Sequence, residues 1–213
     1  MPGFYSKILF DQRVHSVFMH IFKKVQDLQN HLNKVRKKGL QVGFVPTMGA
    51  LHEGHLSLIQ QSKRHSGYTV CSIFVNPTQF NDAADLEKYP RTAAADIHLL
   101  NGVSTDVLFM PPPEEIYPAD LDTALALSFS PLDEVLEGEF RPGHFQGMAQ
   151  VVKRLQDIEQ PQQLYMGQKD FQQSCIVQHL LTQLGLEIDL VRCPIIREAD
   201  GLAMSSRNRR LAT

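Results

Sequence analysis

Short apolar runs rich in β-branched and aromatic residues alternate along this chain with longer stretches of helical period. That alternation constrains the fold more than any other feature. Residues 42–45, 68–75 (YTVCSIFV), 106–110, 164–166 and 187–191 read as strands. Residues 17–38 read as one amphipathic helix, with Phe18, Ile21, Phe22, Val25, Leu28, Leu32 and Val35 in a single stripe and Gly39 as its stop. Further helices are expected over 55–65, closed by Gly67, and over 92–100, 145–158 and 170–184. Pro111, Pro112 and Pro113 end the strand before them. Strands and helices alternating at these lengths predict an α/β fold, a parallel sheet covered by helices on both faces. Such sheets bind ligands at the carboxyl ends of their strands, so the loops that follow strands carry the chemistry.

Three of those loops are unusual. The first is PTMGALHEGH, Pro46 to His55, where Gly49 and Gly54 permit a sharp turn and close approach to a ligand. A helix starting near Gly54 would aim its free N–H groups and positive dipole end at an anion. His52 and His55, three apart, could then meet phosphate oxygens. Half a metal site or two surface histidines would look the same in sequence, but a zinc protease would need four-residue spacing, which HEGH lacks. The second loop, SIFVNPTQF, ends a buried strand at Asn76-Pro77 and carries Gln79 at the strand mouth. Neutral amides there could hold a carboxylate without quenching its nucleophilicity, or Asn76 and Pro77 could simply terminate the strand. The third feature has two pieces. Gly167-Gln168-Lys169-Asp170 opens a helix carrying Gln172 and Gln173, and DGLAMSSR brings Ser205, Ser206 and Arg207. Lys169 and Arg207 could counter triphosphate charge while the serines donate to phosphate. Each piece alone is as well explained by solvated surface; convergence of the loops is what would give them meaning. Arg141 and His144, in RPGHF, are secondary candidates in a loop entering a helix.

Composition excludes several classes. A formal net charge of -2 argues against nucleic acid as the main partner. No apolar run approaches the roughly 18 residues of a membrane span, and Lys7, Asp11 and Arg13 interrupt the apolar N-terminus as no signal peptide would allow. Cys71, Cys175 and Cys193 are odd in number and far apart, which suits buried thiols in a reducing cytoplasm.

In order along the chain, VPTMGALHEGH, SIFVNPTQF, DLEKYPRT, LEGEFRPGHFQG, MGQKDFQQ and DGLAMSSRN resemble the pantothenate synthetase family, from about Leu28 to Leu211. The H-x-x-H and M-S-S-R elements are similar to the nucleotide-binding signatures of the wider superfamily of nucleotidyltransferases and class I aminoacyl-tRNA synthetases, which implies a Rossmann-like sheet. The resemblance further implies a ligation in two steps with Mg²⁺: pantoate attacks the α-phosphorus of ATP, and β-alanine then attacks the pantoyl adenylate, giving pantothenate and AMP. It places Met48, Gly49, Ala50, Leu51, His52, Glu53, Gly54 and His55 along ATP, with His55 as proton donor. Gly167, Gln168, Lys169, Asp170, Ile196, Met204, Ser205, Ser206 and Arg207 complete that site, and Gln79, Asn76 and Gln173 fall to the substrate. The histidines, Lys169 and Arg207 are expected to be positive where charge develops on phosphorus. Gln168 stands where the family often has Glu. Family members continue past the position of Thr213 into a small lid domain, so residues 1–213 are expected to be the nucleotide-binding domain, turning over poorly alone. A homodimer is implied as well. Two other readings stay open: a nucleotidyltransferase acting on a phosphate-bearing substrate, and a catalytically silent nucleotide-binding or dimerisation module.

Overall fold

A computed structural model describes residues 18–80 and 82–211, with Arg209 and Arg210 described by backbone alone. The expectations for the segment before Phe18, including the start of a helix at Val17, lie outside the described residues. Six strands form one all-parallel sheet: β1 (His20–Phe22), β2 (Val42–Thr47), β3 (Tyr68–Ile73), β4 (Val107–Phe109), β5 (Gln163–Gly167) and β6 (Asp189–Cys193). Their order is β1-β4-β3-β2-β5-β6. From β2 the chain winds outward through β3 to β4, then returns to the other side of β2 for β5 and β6. The crevice between β2 and β5 is thus the topological switch point, the ligand position of doubly wound sheets. The Rossmann-like expectation holds.

The helices are α1 (Val25–Lys37), α2 (Glu53–His65), α3 (Ala83–Glu87), α4 (Ala93–Gly102), α5 (Pro113–Ile116), α6 (Glu137–Phe140), α7 (His144–Glu159) and α8 (Phe171–Gln183). Side chains alternate across the strands, which builds two cores. Phe44, Val70, Val107, Phe109, Leu164 and Met166 face α1, α7 and α8. Val45, Cys71, Leu108 and Tyr165 face α2 and α4, meeting Leu58, Ile59 and Leu100. Burial on both faces is why the strands read as unbroken apolar runs.

The single helix expected over 17–38 is corrected. Residues 20–22 form the edge strand β1, tied to β4 by His20 N–H to Asp106 O (2.9 Å) and Met110 N–H to Phe22 O (2.8 Å). Phe18 is 78% exposed and Ile21 45%, so only the part of the stripe after Val25 is a buried helical face: Leu28, Leu32 and Val35. The helix begins at Val25 because the Glu115 carboxylate accepts its N–H (2.8 Å), a cap supplied 90 residues away. Strand β6 lies two residues later than expected, where its register with β5 pairs Gln163 with Asp189 and Gly167 with Cys193. The loop after β3 holds a 3₁₀ turn (Pro77–Gln79) and α3, whose first turn is capped by Asp82 accepting from Ala84 N–H (2.8 Å). All three cysteines are free thiols, with Cys71 and Cys193 buried. No helix among the described residues is long and apolar enough to cross a membrane.

Candidate active site

At the end of β2 the chain turns through Gly49 (φ 82°) and Ala50 (φ 49°), both left-handed. Alanine carries a strain of about 1–2 kcal/mol there, and a buried acid offsets it. Asp96, 1% exposed on α4, accepts Ala50 N–H (3.0 Å) and Leu51 N–H (2.8 Å) on its two oxygens, and Thr92 Oγ1 donates to it as well (3.1 Å). Beyond the turn, His52 is the N-cap of α2. Its Nδ1 accepts Gly54 N–H (3.1 Å), and His55 Nδ1 faces the His52 N–H at 3.4 Å. An Nδ1 that accepts leaves the proton of a neutral ring on Nε2. The two rings lie 4.1 Å apart. Burial, then His52, then Lys169 push the His55 imidazole down to about 3. The expectation of a positive His55 is therefore corrected: at neutral pH the ring is a neutral hydrogen-bond donor.

Across the switch point, β5 ends at Gly167 and a 3₁₀ turn (Gln168–Asp170) leads into α8. Lys169 Nζ contacts Asp170 Oδ1 at 2.6 Å. After β6 the chain folds back, with Met204 N–H bonding Ile196 O (3.0 Å) and a bridge between Arg197 and Ala203. Ser205 caps the 3₁₀ turn Ser206–Arg210 by accepting Arg207 N–H (3.3 Å), and Ser206 Oγ donates to Ala50 O (3.0 Å). That last bond ties the M-S-S-R segment to the H-x-x-H turn. Arg207 is held by Asp85 (3.0 Å) and lies 5.9 Å over the Tyr89 ring.

On the far wall, Gly147 lets α7 lie directly on the Pro77–Gln79 turn; a Cβ there would overlap the Thr78 carbonyl. Asn76, 1% exposed, donates to Gly147 O (3.1 Å) and Gln79 Oε1 (3.2 Å), and accepts from Tyr117 OH (2.9 Å) and Thr78 Oγ1 (3.1 Å). Gln79 in turn donates to Met48 Sδ (3.0 Å).

One cavity collects most of the expected residues: Met48, His52, Gly54 and His55; Gln79 and Gln173; Gly167, Lys169 and Asp170; and Ile196, Met204, Ser205, Ser206 and Arg207 all line it. Gly49, Ala50, Leu51, Glu53, Gln168 and Asn76 are not among its lining residues. Asn76 stands behind the wall, its amide occupied in holding Gln79. Sequence reasoning missed Asp96, because an acid inside TAAAD looks like ordinary helix surface and only the fold brings it under the turn. It also missed the apolar wall of Phe74, Val151, Val152 and Leu155, and Glu137 beside Arg141. Arg141 and His144, secondary in sequence, both face the cavity. Among the described residues no three His, Cys, Asp or Glu side chains are grouped to hold a metal ion.

Comparison with known proteins agrees with this geometry. The Pantoate-beta-alanine ligase family profile matches residues 20–213. The pantothenate synthetase of Bacteroides thetaiotaomicron is 51% identical over 194 residues, covering 91% of this chain and 68% of that protein. The enzyme of Porphyromonas gingivalis strain W83 is 49% identical over 195 residues, covering 92% and 69%. Among solved structures, pantothenate synthetase from Thermus thermophilus superposes with a TM-score of 0.85 at 43% identity, over 91% of this chain and 68% of that one. Pantoate-beta-alanine ligase from Francisella tularensis, complexed with beta-gamma ATP and beta-alanine, gives 0.87 at 39%, over 92% and 74%. With the switch-point cavity, the paired histidines and the folded-back M-S-S-R segment in one place, the chain belongs to the pantoate–β-alanine ligase family.

Proposed function

We propose that this cavity condenses pantoate with β-alanine at the expense of ATP, through a pantoyl adenylate, as an AMP-forming ligase. The observation that carries the reading is the Ser206–Ala50 bond, which joins the H-x-x-H and M-S-S-R loops at a cavity also lined by the amides of Gln79 and Gln173. His52 and His55 offer Nε2–H donors at the N-terminus of α2, where the helix dipole also favours an anion. Lys169 and Arg207 supply the fixed charge for the triphosphate, Ser205 and Ser206 the short donors, and Met204, Ile196 and Gly167 the walls around the nucleotide. Gly49, Ala50, Leu51, Glu53 and Gln168 shape the backbone behind them. Gln79 and Gln173 hold pantoate by neutral amides, so its carboxylate keeps its charge for attack on the α-phosphorus. Asn76 acts by holding Gln79. The amine then displaces AMP from the acyl carbon in a site that must exclude water, since an acyl adenylate hydrolyses readily.

Mg²⁺ fits as a passenger of ATP. It is commonly held by substrate phosphates with one or two carboxylates, and Asp170 is the acid facing the cavity beside Lys169. When bound it would neutralise phosphate charge. A homodimer is proposed too, supported by residues 122–128, which form no helix or strand, expose alternate residues and lie against α7; sedimentation velocity tests it.

The deciding assay is pantoate-dependent exchange of labelled pyrophosphate into ATP, with Mg²⁺ and without β-alanine. Exchange that falls about 100-fold or more in His55→Ala supports the assignment. Exchange driven by a phosphate-bearing acceptor instead of pantoate would favour a nucleotidyltransferase, and nucleotide binding with no exchange at all would favour a silent module.

A further inference from the structure

Three cations line the cavity among the described residues: Lys169, Arg207 and Arg141. The first two lie on the loops after β5 and β6, held by Asp170 and Asp85 beside the nucleotide-facing histidines. Arg141 lies on the loop entering α7. Its Nη1 contacts the Glu137 carboxylate and lies 3.1 Å from His144 Nε2. His144, 5% exposed, has Nδ1 2.8 Å from the Gln79 carbonyl. A carbonyl only accepts, so Nδ1 carries the proton and Nε2 of the neutral ring accepts from Arg141. Burial holds the His144 imidazole below its ordinary value, in keeping with that tautomer. The guanidinium is thus fixed at one nitrogen from two sides. Among the described residues its Nε and Nη2 have no partner, and the side chain, 26% exposed, lines the cavity.

A guanidinium with that edge open matches a carboxylate, two parallel N–H donors to two oxygens. The second substrate of this family is a zwitterion whose amine must reach an acyl carbon held near Gln79. Its carboxylate, two methylenes away, needs a cation near Gln79. Arg141 is one imidazole removed from the Gln79 backbone. We propose that Arg141 binds the carboxylate of the incoming amino acid through its Nε/Nη2 edge, with Glu137 and His144 as positioning residues that hold it there. This rests on the ligase reading above. It makes Arg141 the determinant of β-amino acid over simple amine.

The test uses the full chain with Arg141→Gln and Arg141→Lys, each followed in two assays. Arg141→Gln is expected to lower kcat/KM for β-alanine by about 10- to 100-fold, with Arg141→Lys intermediate because it keeps charge but loses the fork. Propylamine, which lacks the carboxylate, should lose nothing, so discrimination between the two amines collapses. Pantoate-dependent pyrophosphate exchange should persist in both variants, which separates failure of this proposal from failure of the ligase reading. Loss of exchange in step with β-alanine turnover, or unchanged discrimination, overturns it. Saturation-transfer NMR of β-alanine with the chain reads the contact independently of turnover: the signal should vanish in Arg141→Gln, and its retention refutes the contact. Glu137→Gln should raise KM for β-alanine with kcat little changed; lost stability with unchanged discrimination would remove Glu137 from the positioning role.

Discussion

Replacing Asp96 by Asn tests whether a buried acid builds the nucleotide-facing turn. The side chain keeps its size, and one oxygen still accepts. The other becomes an NH₂ that points at a backbone donor, either Ala50 N–H or Leu51 N–H, now bonded at 3.0 and 2.8 Å. One hydrogen bond to a charged group is lost, roughly 1.5–3 kcal/mol, and a buried N–H is left unsatisfied, roughly 1–3 kcal/mol. Those two figures overlap in part, so the expected loss is about 2–4 kcal/mol. Ala50 has reason to relax from its left-handed conformation once the bond is gone, which would withdraw its carbonyl from Ser206. The prediction is therefore double: a urea midpoint lowered by that free energy with an unchanged slope, and nucleotide affinity weakened beyond what the stability change alone implies. A loss below about 0.5 kcal/mol, or lost stability with intact affinity, would refute the reasoning.

Acid should destabilise the chain through His55. The depressed native value means the unfolded state binds more protons between about 3 and 6.5, so stability falls as pH drops across that window and levels off below it. Melting curves against pH should be flatter for His55→Gln than for the parent, and parallel curves would contradict the assignment. Gly147→Ala must push α7 off Thr78; we expect a loss of about 1–3 kcal/mol and a larger fractional loss in pantoate-dependent exchange, because Asn76 and Gln79 move with the turn. Chelating Mg²⁺ should abolish the exchange reversibly, and exchange that survives chelation would remove the metal from the reading. Leu32→Ala, in a fully buried position against α7 and the sheet, should cost about 2–5 kcal/mol in denaturation while leaving the midpoint of nucleotide titration in place.

Much of the architecture was legible because its causes are local. Buried parallel strands must be apolar on both faces, so YTVCSIFV announces β3 without any partner in view. Amphipathic period marks α7 and α8, and Gly49 and His52 stand where a strand hands over to a helix. Elements whose cause is distant were not legible. The stripe from Phe18 to Val35 has helical spacing throughout, yet β1 interrupts it because Asp106 and Met110 offer backbone partners. Register with β5, too, moved β6 by two residues.

The chemistry divides along the same line. By itself the sequence determined which groups are available and in what local frame: two histidines on the first turn of a helix, a lysine after a strand, two serines before an arginine. Tertiary structure alone decided their state and company. It buried His55, which favours the neutral ring, gave Asn76 a hydrogen bond to Gln79, and set Asp96 beneath a turn 46 residues away. Desolvation and hydrogen-bond partnership depend on what surrounds a group in space, and a linear sequence specifies only what surrounds it along the chain.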